Sequence, residues 1–258
     1  MKQVITNQKH QRISVLVFDL DGTAVPNSIE GMPSKRVIEA VRKAKEKIFV
    51  SIATGRPISY AQNVIDALGI TSPSIFAGGS IIYDPKCKTI LSKKIIDQKV
   101  VKKIIEYLNP FPYKIYFSDA DKEHLAREVK TFKDENVIFI DGVDIKQSVD
   151  IQKELRRISS IVVHKADSWH DDLFTLHITH RQATKQHAMQ KLLKLLSVPK
   201  NEVLAVGDSY NDLPLLESAG FKVAMGNGSE ELKEKADYVA PSVDEDGLAQ
   251  VIEKFILT

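Results

Sequence analysis

The sequence predicts an α/β fold in which a parallel sheet flanked by helices is interrupted by an inserted α+β unit. Three observations carry that expectation. Short β-branched runs alternate with amphipathic stretches from Ile13 to Ala77, and the same alternation returns after about Thr184. Between them, roughly from Tyr83 to Thr179, aromatic strands and helices follow one another without strict alternation, as in an antiparallel sheet with helices on one face.

Ile13–Phe18, Ile48–Ala53 and Ser74–Ala77 are short, mostly apolar runs, as expected of strands buried in a parallel sheet. Helices near Ser34–Lys45 and Ile58–Leu68 separate them, and Ser34, following Pro33, is placed to cap the first. In the middle stretch, Asp84-Pro85-Lys86 marks a hairpin. Helices are expected near Gln98–Leu108, Glu123–Phe132 and Ser148–Arg157, with strands at Tyr113–Phe117, Ile161–His164 and Leu173–Ile178. The returning half predicts a helix through Leu196, a strand Val203–Val206, a helix Asp212–Ala219, a strand Lys222–Ala224, a helix Glu230–Lys235, a strand Tyr238–Ala240 and a closing helix from Glu245. The expected organisation is a core made of residues 1–82 and 181–258, with residues 1–12 as a flexible tail, and an insert of residues 83–180.

A chain of 258 residues, 43% hydrophobic, can bury a large core. Its 36 basic and 34 acidic side chains give a net charge of +2, which excludes the long-range field expected of a nucleic-acid or membrane-surface binder. Cys87, the single cysteine, excludes an intrachain disulfide framework and a thiolate metal site, and fits a reducing cytoplasmic compartment. The polar stretch Met1–Arg12 lacks the apolar run of a signal peptide. Oligomeric state is left open.

The chemistry concentrates where apolar runs end, because parallel sheets bind ligands at the carboxyl ends of their strands. The run Val15–Phe18 ends in Asp19-Leu20-Asp21-Gly22-Thr23. If extended backbone persists through Leu20, both carboxylates meet on one face, and two like charges that close demand a compensating cation. Asp21-Gly22 is also an ordinary turn dipeptide, but no alternating strand follows Thr23, so a strand–loop–helix unit is favoured over a hairpin. Thr54-Gly55-Arg56 ends a second run, Lys185 stands at the return from the insert, and Gly207-Asp208-Ser209-Tyr210-Asn211-Asp212 ends a third run.

In this order the clusters resemble the haloacid dehalogenase superfamily of phosphohydrolases, specifically its Cof-like branch with a large α/β cap (type IIB, or C2) inserted in a Rossmann-like core. The tail Val223-Ala224-Met225-Gly226-Asn227 resembles that branch as well. The resemblance implies that Asp19 attacks phosphorus, Asp21 serves as acid and then base, and Thr54 and Lys185 hold the phosphoryl oxygens. Gly22, through its backbone amide, and Asn211 would lie at the substrate. It also implies Mg2+ held by Asp19, the Asp21 carbonyl and Asp208, with Asp212 supporting that shell or orienting Lys185. Arg56 is left between contacting phosphate or substrate and pairing with a carboxylate. The implied substrate is a small phosphorylated metabolite, a sugar phosphate or similar phosphomonoester. A phosphomutase or phosphotransferase and a non-catalytic phosphometabolite sensor are the alternatives.

Taken singly, each residue also has a structural reading. Thr54 fits a helix cap, Lys185 a solvated helix position, and Asp208 and Asp212 a loop and a helix start. His164, His170, His177 and His180 show no metal-ligand spacing and are assigned to strand ends or the cap, and Trp169 to a loop. Two departures from the family pattern, Gly78-Gly79-Ser80 in place of an Asn-Gly-Ala stretch and Gln186 in place of Gly after the motif lysine, bear on substrate preference.

Overall fold

The computed structural model describes residues 5–6, 12–28, 30–118, 123–128, 137–168 and 173–258. Its first strands are β1 (Ile5–Thr6), β2 (Arg12–Ile13) and β3 (Val15–Phe18), followed by α1 (Lys35–Lys47), β4 (Phe49–Ile52), α2 (Ile58–Leu68) and β5 (Ser74–Phe76). Then come β6 (Ile81–Asp84), β7 (Thr89–Lys93), α3 (Gln98–Leu108), β8 (Lys114–Ser118), β9 (Glu123–Leu125), β10 (Val137–Val143), α4 (Ile145–Leu155), β11 (Ile161–Asp167) and β12 (Phe174–His180). The chain returns through α5 (Lys185–Leu196), β13 (Val203–Gly207), α6 (Leu213–Glu217), β14 (Phe221–Ala224), α7 (Glu230–Lys235), β15 (Tyr238–Val239) and α8 (Gly247–Phe255).

Among the described residues, β15-β14-β13-β3-β4 form one parallel sheet. Strand β3, paired on both sides, has all four side chains buried, and their alternation feeds two layers. Leu16 and Phe18 pack with Val41 of α1, Leu68 of α2 and Ile252 of α8, whereas Val15 and Val17 pack with Met189 of α5, Leu215 of α6 and Leu232 of α7. The result is a three-layer α/β/α core, the Rossmann-like architecture expected. The order of β13, β3 and β4 places a topological switch between β3 and β13, where a crevice opens at the strand ends.

The second layer system is an antiparallel sheet, β11-β12-β10-β8-β9, with α3 and α4 on one face. Val101 and Ile104 of α3 and Ile151 of α4 pack there against Phe117, Ile138, Ile140, Leu176 and Ile178. This is the inserted α+β cap. Its central strand β10, paired on both sides, was not expected from the sequence; its register with β12 shifts between Ile140 and Val143, where Gly142 sits at φ +73°.

Three other expectations change. The segment Ser74–Phe76 joins the parallel sheet only through one bridge, Ala53 to Ile75, and its ladder is antiparallel with β6. Gly78 and Gly79, at φ +66° and +108°, reverse the chain directly after it, so a hairpin forms instead of a crossover. The helix expected at Glu123–Phe132 is replaced over its described part by β9 and a 3-10 turn at Ala126–Glu128, because Tyr116 and Phe117 of β8 pair with Leu125 and His124. Residues 129–132 lie outside the described residues, as do Trp169 and His170. Of the expected N-terminal tail, β1 pairs antiparallel with β2, and residues 1–4 and 7–11 lie outside the described residues.

The hairpin at Asp84-Pro85-Lys86 forms as expected, with the Asp84 carboxylate accepting from the Lys86 and Cys87 amides. Ile81 and Ile82 of that hairpin pack into the two core clusters, so the residue 82/83 boundary falls inside it. No helix among the described residues is long and apolar enough to cross a membrane.

Candidate active site

Asp19 follows β3 directly, its amide held by the Val206 carbonyl at 3.0 Å, so its position is fixed to the neighbouring strand β13. Lys185 is the first residue of α5, whose N-cap Thr184 accepts from the His187 amide at 3.3 Å. From there the Lys185 ammonium, almost fully buried, reaches Asp19 Oδ1 at 2.7 Å and Asp212 Oδ1 at 2.5 Å. The other Asp212 oxygen, Oδ2, accepts from the backbone amides of Asp208 and Ser209 at 3.1 and 3.2 Å. Asp212 therefore shapes the turn that presents Asp208 and orients Lys185 at the same time.

Asp19, Asp208 and Asp212 each offer an oxygen within 4.8 Å of the others. One buried ammonium faces three carboxylates. Burial raises the Asp19 pKa well above the usual carboxylate range; Lys185 opposes this, and Asp212 and Asp208 reinforce it. Asp208 is pushed up to about 7 by burial and by Asp212, against the pull of Lys185 and the Thr23 hydroxyl. Burial alone would push the Lys185 ammonium down, but the charges of Asp19 and Asp212 outweigh it and hold its pKa above the ordinary lysine value. The centre is short of positive charge, and its donors are oxygens throughout, the set a hard divalent cation takes.

The loop after Asp19 packs to near contact. Gly22 sits at φ +76°, and a Cβ there would fall 2.2 Å from Asp208 Oδ2. Only glycine lets this turn approach the metal-ligand candidate so closely. Gly79 plays the same part on the opposite wall: a Cβ would meet the Thr184 carbonyl carbon at 2.3 Å and displace the start of α5, which carries Lys185. Thr23 Oγ1 donates to Asp208 Oδ1 at 3.3 Å, and Asn227 Nδ2 donates to the Gly22 carbonyl at 2.9 Å while its Oδ1 accepts from the Val243 amide. Asn227 is thus a strut between its own turn and the Gly22 loop, a role visible only in the fold.

Extended pairing stops at Phe18, so the alternation argument does not reach Asp21. The Asp21 carboxylate is not in the acidic cluster; it is gripped by Arg56, through Nε at 3.1 and 3.0 Å and Nη2 at 2.5 Å. Of the two expectations for Arg56, pairing with a carboxylate is present here, with Asp21 as the partner. Thr54, fully buried after β4, accepts from the Arg56 amide at 3.0 Å and leaves its O–H to donate. It does not cap α2, whose N-cap is Pro57. Asn211 is exposed in the turn beside Asp212, its side-chain oxygen accepting from Ser209 Oγ at 2.9 Å.

Comparison with known proteins agrees with this geometry. A family model described as haloacid dehalogenase-like hydrolase matches residues 16–139 and 120–252. A phosphoglycolate phosphatase from Methanobrevibacter smithii is 26% identical over 246 residues, covering 95% of this chain and 99% of the relative. The 5-amino-6-(5-phospho-D-ribitylamino)uracil phosphatase YcsE from Bacillus subtilis is 26% identical over 249 residues, covering 95% and 96%. A solved haloacid dehalogenase-like hydrolase from Bacteroides thetaiotaomicron superposes with a TM-score of 0.81 at 24% identity, covering 94% of this chain and 99% of that one. The chain belongs to the haloacid dehalogenase-like hydrolase family and is an enzyme of its phosphoric monoester hydrolase class.

Proposed function

We propose that the protein is a Mg2+-dependent phosphatase of small phosphorylated metabolites, sugar phosphates and similar phosphomonoesters, working through an aspartyl-phosphate at Asp19. The observation that carries the reading is the convergence of Asp19, Asp208 and Asp212 within 4.8 Å of one another, with the Lys185 ammonium bridging Asp19 and Asp212. Asp19 and Asp208 would hold the ion directly. Asp212, with both oxygens engaged by Lys185 and the Asp208 and Ser209 amides, supports them. Bound there, Mg2+ supplies the charge that lets a carboxylate approach a phosphate dianion.

Lys185 holds Asp19 Oδ1, leaving Oδ2 to attack phosphorus and form the acyl phosphate. The leaving oxygen takes a proton from Asp21, which then removes one from the water that cleaves the intermediate. Thr54 Oγ1 and the Gly22 backbone amide donate to phosphoryl oxygens, Lys185 adds its charge, and Asn211 lies at the mouth. The cap, taken as the segment between β7 and α5, closes over the leaving group and excludes water. A cytoplasmic location agrees with this reading. Phosphate release, measured across a panel of phosphorylated metabolites with and without Mg2+, tests it; no release from any member sinks it.

A further inference from the structure

The cap sheet has two unlike faces. One is the apolar face covered by α3 and α4. On the other, the register sets His164 of β11 directly opposite His177 of β12, and His177 opposite Phe139 of β10, with Thr175, Thr179 and Ser118 on the same side. This face turns toward the core. Val137 and Phe139 on it pack with the core cluster that contains Phe76 and Tyr83, and β11 runs beside the 210–212 turn that carries Asp212.

Buried polar side chains are nearly always hydrogen-bonded, so each exception calls for a reason. On this face the buried Ser118 hydroxyl is one such exception. Among the described residues neither the His164 nor the His177 imidazole makes a side-chain hydrogen bond; both are half-buried, and His177 packs edge-on against Phe139 at 4.7 Å. The Ser118 hydroxyl on the same face is fully buried and also without a partner. Thr175 and Ser168, in contrast, are satisfied by Asp141. Burial lowers the pKa of both imidazoles, that of His177 to about 4. A neutral imidazole offers one N–H donor and one lone pair, which suits a hydroxyl and gives no charge to attract a second anion.

We propose that His164 and His177 are specificity-determining residues that bind the leaving group, selecting phosphomonoesters whose alcohol is uncharged and rich in hydroxyls. The assignment rests on the phosphatase reading above and names the substrate class of that same site. A competing feature lies next to it. The adjoining cleft, about 760 Å³, is lined by His164 and Val162 together with Arg156, Arg181 and His187, and its two guanidinium groups would favour a leaving group with a carboxylate or second phosphate.

The test compares kcat/KM on ribitol 5-phosphate and glucose 6-phosphate, on phosphoglycolate, and on p-nitrophenyl phosphate, which has no alcohol hydroxyls. Aryl phosphate turnover by the unsubstituted protein reports on the phosphatase reading alone. The imidazole assignment predicts that His164→Ala and His177→Ala each lower kcat/KM on at least one hydroxyl-bearing substrate by about tenfold or more. Aryl phosphate turnover stays within about twofold, and His164→Asn, which keeps a donor and an acceptor, restores part of the loss. If His177→Ala fails to fold, the His164 pair decides. Equal losses on both kinds of substrate, no loss at all, or a preference for phosphoglycolate that depends on Arg156 and Arg181 overturns the assignment.

Discussion

Arg56 and Asp21 form a two-nitrogen clasp, with Nε 3.1 and 3.0 Å from the two carboxylate oxygens and Nη2 on the same carboxylate. Arg56 is itself anchored, donating to the Ser28 carbonyl at 3.0 Å and the Tyr60 carbonyl at 3.2 Å, so the side chain proposed as acid and base is tied to the Ser28 loop and the first turn of α2. A planar guanidinium fixes both position and orientation of a carboxylate, which a lysine would not.

Arg56→Ala removes that control. Because misplacing a catalytic group by an ångström costs on the order of a hundredfold, kcat should fall by about tenfold to a hundredfold with a smaller change in KM. Steady-state kinetics on an aryl phosphate measures the split; an unchanged kcat would mean that the clasp does not position Asp21.

Lys185→Met leaves Asp19 and Asp212 facing each other with no compensating charge. Breaking a buried ion pair from one side costs roughly 3–5 kcal/mol, and urea unfolding of metal-free protein should show a loss of that order. Added Mg2+ should recover part of it. A loss of only a few tenths would mean that the buried cluster is relaxed by water.

The raised pKa of Asp208, about 7, sets a pH dependence. Its folded value lies above the unfolded one, so the native state binds the extra proton, and stability falls as pH rises from the ordinary carboxylate range through 7. Metal-free protein should therefore melt at a higher temperature at pH 5 than at pH 8. Mg2+ competes with the proton, so its stabilising effect should grow over the same interval. Melting curves at both pH values, with Mg2+ or a chelator, check both signs.

Gly22→Ala combines a left-handed φ of +76° with a contact of 2.2 Å to Asp208 Oδ2. The backbone strain alone costs about 1–2 kcal/mol, and relief of the clash must move the Asp208 carboxylate or the loop. Activity should drop further than stability does, which paired kinetic and unfolding measurements would reveal.

Much of this was legible in the sequence where local rules and tertiary context agree. Helices Ile58–Leu68, Gln98–Leu108 and Glu230–Lys235 begin and end where the sequence pattern places them, and the apolar runs ending in Asp19, Thr54 and Asp208 are strands whose ends converge. Lys185, an unremarkable helix residue by local pattern, was found through its place in the motif order; its burial between Asp19 and Asp212 is a product of the fold. What escaped depended on partners far along the chain. The strand at Val137–Val143 exists because β8 and β12 flank it, the Glu123 segment is extended because β8 pairs with it, and Asp21 turns toward Arg56, 35 residues away. The facing of His164 and His177 likewise needed a cross-strand register that no single segment specifies.

The central claim is that Asp19 is the nucleophile of a metal-assisted phosphatase. Phosphate release from p-nitrophenyl phosphate in Mg2+ should be readily measured for the unsubstituted protein and lost in Asp19→Asn, with the variant still folded by circular dichroism. Undiminished turnover in Asp19→Asn would contradict the account.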